Sequence, residues 1–271
     1  MSEDLEGMPT CTVVTDMRCD LGPELLEQLG VSWCGSAPTV AELAELYSAL
    51  FEKGCASIVS VHASAVAPLA RTAALSLGEA SRVAVVDTGL VSAALALVVE
   101  RTAYAAACAR SASEVAARAE TLASETAFFI IADSHAPFQG SGRLGDRIAY
   151  LRRRALGERH LIRLDTEGHT VLASSADISD LAGRIAQAFG TRAREVGALC
   201  CVKAAGDAAK GLGQLEKPFD TNEYVSYHLA TLKPAPALVR YAGPEAIGIA
   251  MVPDSTFGGY ETARFDFSLD I

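Results

Sequence analysis

The residues best placed to do chemistry are those that close β-prone runs. Asp16 follows the run Cys11 to Val14 through Thr15, His62 follows Ser57 to Val61 and is followed by Ser64, and Asp87 and Thr88 follow Val83 to Val86, with Ser92 close behind. In an open parallel sheet, ligands bind at the carboxyl ends of strands where the strand order reverses. A carboxylate, an imidazole and hydroxyls gathered there could hold a polar head group or exchange a proton. The same side chains suit helix caps and turns, because Asp, Ser and Thr accept hydrogen bonds from the orphan N–H groups of a first helical turn. Their shared location is what lifts them above that reading. Acid/base chemistry would further require His62 within hydrogen-bond reach of a carboxylate or hydroxyl beside a polar pocket.

Other patterns carry less. Gly140, Gly142 and Gly145 form a glycine-rich loop around Arg143, but no Gly-Lys-Ser/Thr follows and no Gly-x-Gly-x-x-Gly opens the chain, so nucleotide binding is unsupported. Arg143 reads either as a solvated arginine or as a partner for a carboxylate or phosphate. The five histidines lie far apart, and Cys200 and Cys201 alternate faces on a strand, so no metal site is expected. There is no Gly-x-Ser-x-Gly elbow and no cysteine in a setting that would lower its pKa, so no catalytic residue is assigned.

These residues need elements to position them. Asp20-Leu21-Gly22-Pro23 reads as a turn launching a helix with Leu25, Leu26 and Leu29 on one face; Ala41 to Lys53 reads as a second helix, with Leu43, Leu46, Tyr47 and Leu50 aligned. The runs Ser57 to Val61 and Val83 to Val86 suit buried parallel strands, which makes the first half a β-α-β-α-β alternation with helices on both faces of a parallel sheet. Val91 to Ala123 is alanine-rich and helical, with a break near Arg110 to Ser113. A fresh start at Phe128 to Ala132 places the domain boundary near residue 125. Beyond it, strands are expected at Leu161 to Leu164, Thr170 to Ala173, Ala198 to Lys203, Ala237 to Tyr241 and Ile247 to Val252, and helices at Ser179 to Arg194 and about Asp207 to Leu215. The fold class is therefore α/β in two domains: a parallel-sheet α/β/α domain over 1–125 and a mixed-sheet α+β domain over 126–271.

Composition bounds the function. A net charge of -10 argues against a nucleic-acid partner, since phosphate recognition needs a cationic field. Seven scattered cysteines in apolar settings fit reduced thiols, and the acidic start Met-Ser-Glu-Asp lacks the features of a secretory signal, so a cytoplasmic protein is expected. Val91 to Val99 stops at Glu100 and Arg101, well short of the roughly 20 apolar residues of a membrane span.

Several segments together resemble the DegV family. Val13-Val14-Thr15-Asp16 through Cys19-Asp20-Leu21-Gly22-Pro23 looks like its opening strand and Asp-Leu-Pro turn, and Gly35-Ser36-Ala37-Pro38-Thr39 like its Thr-Ser-Gln-Pro-Ser motif. Val61-His62-Ala63-Ser64 falls at its strand leading into a serine-rich loop, and Val86-Asp87-Thr88 with Val91-Ser92 at its next strand end. Ser141-Gly142-Arg143-Leu144 resembles Gly-Gly-Arg-Ile, and Gly243-Pro244-Glu245-Ala246-Ile247-Gly248 resembles Gly-Pro-Gly-Ala-Leu-Gly.

The resemblance implies a non-catalytic carrier without a cofactor. A long-chain fatty acid would be buried in the first domain, its carboxylate near the domain junction and the second domain closing the head-group site, for presentation to a separate ATP-dependent fatty acid kinase. The implied ligand-binding set is Ser36, Thr39, His62, Ser64, Ser92, Arg143 and Tyr241. Three positions depart from the family: Gly35 stands at the motif threonine, Pro68 at the loop serine and Tyr241 at the histidine before Gly-Pro, leaving Ser36, Ser64 and Arg143 as substitutes. The family's extra segment between Val31 and Gly35 is also missing. Two other readings stay open: a degenerate or altered-ligand relative with a regulatory role, and a small-molecule hydrolase or transferase acting through Asp16, His62 and Asp87.

Overall fold

The computed structural model describes residues 11–35, 37–108, 111–134, 136, 151, 154–206, 211–219, 224–259 and 261. The chain divides into two compact units, Met1–Leu90 with Leu95–Ser124, and Val91–Ala94 with Glu125–Ile271. It is a two-domain α/β protein.

The first unit contains β1 (Thr12–Asp16), α1 (Pro23–Gln28), β2 (Ser32–Cys34), α2 (Val40–Glu52), β3 (Ile58–His62), α3 (Ala67–Ser76) and β4 (Val83–Asp87), in a parallel sheet of order β2-β1-β3-β4. β1 pairs with β2 on one side and β3 on the other, so the strand order reverses at the β1/β3 crevice. Pro23 starts α1, where its missing N–H is no loss. α2 begins in a capping box: the Glu42 N–H donates to Thr39 Oγ1 (3.2 Å) and the Thr39 N–H to the Glu42 carboxylate (2.7 Å). Leu43 and Tyr47 on α2 are buried beside Val14, Ile58, Val66 and Ala70. Each large apolar side chain so buried contributes about 1.5–3 kcal/mol. Between Val31 and Gly35 the chain forms β2, three residues and too short for a hydrophobic pattern to reveal.

α4 (Ser92–Cys108) and α5 (Ala112–Glu125) follow, with the helical break where it was expected. Ala93 through Val99 are all 0% exposed, so this part of α4 is apolar and buried on every face.

The second unit is a six-stranded sheet of order β7-β6-β5-β10-β8-β9, built from β5 (Ala127–Ile131), β6 (Arg159–Asp165), β7 (Gly168–Ser175), β8 (Leu199–Ala205), β9 (Ser226–Leu232) and β10 (Ile247–Pro253). All its pairings are antiparallel except β8 with β9. Its helices are α6 (Ile178–Val196), α7 (Leu212–Glu216), α8 (Pro236–Ala242) and α9 (Asp254–Phe257). α6 is capped by Asp177 and buries Leu181, Ile185 and Phe189 with Phe129, Ile131 and Ile249.

Two expectations are corrected here. Ala237 to Tyr241 is not a strand but most of α8: Pro236 opens it, and Leu238 and Ala242 share its buried face. The missing strand is β9, whose polar residues Ser226, His228 and Thr231 hid it in the sequence. Helix α7 starts at Leu212, and residues 207–210 of the expected helix lie outside the described residues.

Gly248 shows how tightly the second sheet is packed. A Cβ there would stand 2.5 Å from Phe128 Cε2, on the neighbouring strand β5. Gly248→Ala is therefore expected to lower stability by about 1–3 kcal/mol in urea denaturation. Adding Phe128→Leu should make the double variant lose less than the two single losses summed.

Candidate functional site

At the β1/β3 crevice the strand ends meet in a buried polar chain. Asp16 ends β1 and His62 ends β3, and His62 Nδ1 lies 3.0 Å from Asp16 Oδ2. Two residues back on the same strand face, Ser60 Oγ is 2.7 Å from His62 Nε2 and 2.7 Å from the Tyr47 hydroxyl of α2. All four residues are 0% exposed. One hydrogen arrangement satisfies every group: Tyr47 donates to Ser60, Ser60 to Nε2, and Nδ1–H to the carboxylate. The reverse direction would leave the Tyr47 hydroxyl proton without an acceptor among the described residues.

The chain also fixes the turn after β1. Asp16 Oδ1 accepts the Arg18 N–H at 3.0 Å, the Cys19 N–H donates to the Asp16 carbonyl, and the Met17 N–H donates to the Cys34 carbonyl at 3.2 Å. The Thr15 hydroxyl donates to the Val61 carbonyl across to β3. Burial pushes the Tyr47 phenol up to about 12 and the Cys34 thiol, with Asp16 nearby, also to about 12. None of the seven cysteines is in a disulfide.

Above this buried layer lies an exposed one. Ser64 donates to Asp87 Oδ1 at 2.6 Å, and the same oxygen accepts the Gly89 N–H at 3.3 Å. Thr88 is buried and donates to the His62 carbonyl. Thr39 lies after β2; its N–H (2.7 Å) and then its hydroxyl (2.9 Å) donate to the Glu42 carboxylate and hold that carboxyl below its ordinary pKa. Ser92, at the start of α4, is buried and has a left-handed φ of 60°. In the second unit, half-buried Tyr241 meets the His169 ring edge-on at 6.2 Å, and burial raises its phenol pKa. Ser36 and Arg143 lie outside the described residues.

Of the nominated residues, His62 and Ser64 thus stand at the same end of the sheet as Asp16, Asp87 and Thr88. Tyr47, Ser60 and Arg18 were missed. Ser60 had a signal, its two-residue spacing from His62 on a strand; Tyr47 sits on an apolar helical face and reads as core.

The comparisons with known proteins fit this geometry. The family model described as "Uncharacterised protein, DegV family" matches residues 33–254. The chain belongs to the DegV family. A DegV family protein from Corynebacterium glutamicum superposes with a TM-score of 0.76 at 21% identity, covering 91% of this chain and 98% of its own. One from Thermus thermophilus, described by its fatty acid binding, gives 0.75 at 20% identity, covering 91% and 100%. DegV from Bacillus subtilis, described as a fatty acid binding protein, gives 0.68 at 15% identity, covering 90% and 99%. No curated protein sequence matches the chain.

The Gly-Pro segment that resembles the DegV motif is held by Asp133. Its N–H donates to the Ala242 carbonyl at 2.7 Å and its Oδ2 accepts the Glu245 N–H at 3.3 Å. A Cβ on Gly243, whose φ is 89°, would come within 2.5 Å of the Asp133 Cβ. Arg159 secures the same segment through an ion pair to Glu245 at 2.8 Å.

Ser60→Ala would strand both the Tyr47 hydroxyl and His62 Nε2, and is expected to cost roughly 2–4 kcal/mol in urea denaturation. Combining it with Tyr47→Phe should cost less than the two single losses added, since the phenol no longer lacks a partner. Alkali adds a second check. The folded state keeps the Tyr47 proton up to about pH 12, against an ordinary value of 10.0, so its contribution is full below pH 10 and is lost between the two. Tyr47→Phe should flatten that limb of the stability profile.

Proposed function

We propose that this chain binds a long-chain fatty acid and carries it, without catalysis of its own, to a separate ATP-dependent kinase that forms the acyl phosphate. The observation that carries the reading is membership of the DegV family over residues 33–254, together with likeness over nine-tenths of the chain to relatives described by fatty acid binding. The apolar stretch Ala93 to Val99 of α4 suits an interior that admits an acyl chain, because such ligands need deep apolar surroundings and few polar anchors. Among the described residues, no helix is long and apolar enough to cross a membrane. The carrier is proposed to work in the cytoplasm and without a cofactor. The residues put forward as ligand contacts are Ser36, Thr39, Ser64, Ser92, Arg143 and Tyr241, with His62 supporting the strand end from the buried layer beneath.

Denaturing organic extraction of the purified protein, followed by mass spectrometry against a matched control protein, tests the reading. A stoichiometric fatty acid is expected, and Ser36→Ala and Arg143→Ala should each retain several-fold less. No lipid, and no uptake of added fatty acids, would overturn it in favour of a relative with another ligand or a regulatory role. Gly35 gives a gain-of-function arm. No atom lies within 4 Å of a Cβ built there, so a side chain fits. Gly35→Thr puts back the hydroxyl that the resemblance leads one to expect, and about tenfold tighter fatty acid binding should follow, the worth of one hydrogen bond to a charged group.

A further inference from the structure

Among the described residues the second sheet has two outer strands, β7 at one end of its order and β9 at the other. β9 has two distinct faces. His228 lies in register with Cys201 and Thr231 with Lys203, and both are exposed; Ala230 and Leu232, in register with Val202 and Ala204, are buried. Val225, just before the strand, leaves an apolar side chain 55% exposed. By sequence β9 holds no charged residue and no proline, the residues that commonly guard a sheet edge against pairing.

The segment 264–271 has the pattern of a strand in need of a neighbour. Its odd positions, from Phe265 to Ile271, are all apolar, and its even positions, from Arg264 to Asp270, are all polar. Strict alternation over eight residues is the signature of a half-buried strand, apolar on one face and polar on the other. The segment lies beyond residue 254, where the match to the family model ends.

The chain leaves β10 on the β9 side of the sheet. The Asp254 N–H donates to the Ala198 carbonyl at 2.9 Å, and the Leu199 N–H donates to the Val225 carbonyl at 3.0 Å, so the starts of α9, β8 and β9 stand in a row. A position outside β9 is two strand spacings from Ala198, about 10 Å. Residues 258–263 cover that distance even at the roughly 2 Å per residue of a 3₁₀ turn. Charge also separates the two outer strands. Residues 224–233 carry His228 and Lys233 and no carboxylate, whereas β7 is flanked by Asp165, Glu167 and Asp177, which would repel Asp266 and Asp270.

We propose that residues 264–271 dock along the outer edge of β9 as a further strand of the sheet, parallel to β9, with the apolar positions on the Val225 side and the aspartates on the His228 side. The chain thereby closes with its own segment an edge that would otherwise pair with other molecules. This inference is independent of the carrier reading.

Hydrogen–deuterium exchange of the full-length protein tests it, comparing the wild type with Phe267→Pro and Phe267→Val. Proline removes a ladder donor from the added strand, whereas valine keeps an apolar, β-branched residue on the same face. In Phe267→Pro the amides of β9 are expected to exchange about tenfold faster or more, with β7 and the first unit unchanged, and Phe267→Val should stay within about threefold of the wild type. Equal β9 exchange in all three proteins overturns the assignment, as does faster exchange at β7 in place of β9. Faster exchange throughout the second unit in Phe267→Pro also overturns it, since the segment would then belong to the core and not to one edge. Sedimentation of the wild type over a dilution series checks the occupant. A monomer at every concentration is expected, and a dimer whose dissociation removes the β9 protection would assign the edge to a second copy instead.

Discussion

The contact between Asp16 and His62 holds the first unit together at the point where it is most open. β1 and β3 are its two central strands, and their carboxyl ends diverge into separate loops exactly where the order of strands reverses, so backbone pairing stops and side chains must continue it. A carboxylate with 0% exposure is tolerable only when its oxygens are taken up. One oxygen takes His62 and the other takes the Arg18 N–H, so a single side chain joins the neighbouring strand to the turn that leaves its own. Removing one partner from a buried pair of this kind typically costs about 3–5 kcal/mol, because the other is left behind without water.

From that contact the constraint spreads in two directions. Inward, it runs through Ser60 to Tyr47 and so ties α2 to the sheet by a polar chain as well as by the packing of Leu43. Outward, it settles the course of residues 17–20 and, through Met17 and Cys34, the end of β2. The second unit solves a comparable problem differently. There Asp133 grips the backbone on both sides of Gly243 and Pro244, and the closeness of that grip excludes any side chain at Gly243.

What could be read from the sequence follows from how local each signal is. The β-branched runs ending at His62 and Asp87 and the change from α4 to α5 all depend on residues within a few positions of one another, and they were legible. Ala237 to Tyr241 misled because a five-residue apolar run has no period to distinguish strand from helix, and Pro236, a helix-start residue, was the signal that decided it. β9 escaped because an edge strand with polar residues on it lacks the alternation of a half-buried strand. The site was legible as a location and not as a network. Asp16 and His62 stand 46 positions apart and Tyr47 and Ser60 stand 13 apart, and no spacing rule links a helix face to a strand in that way. Nor does sequence say which acceptor a hydroxyl will choose, and so Thr39, Ser64 and Thr88 looked equally available to a ligand.

The order Asp16, His62, Ser60 has the connectivity of a hydrolase triad, and the reasons it does not behave as one are geometric. A nucleophilic serine must face its substrate, whereas Ser60 is 0% exposed and its oxygen is covered by the Tyr47 hydroxyl at 2.7 Å. Were Ser60 to pass its proton to His62, the replacement would have to come from Tyr47, leaving a phenolate where burial has raised the pKa to about 12. Burial therefore turns an arrangement capable of proton transfer into a fixed strut. The polar groups left exposed at this end of the sheet are those of the layer above, where Ser64 donates to Asp87.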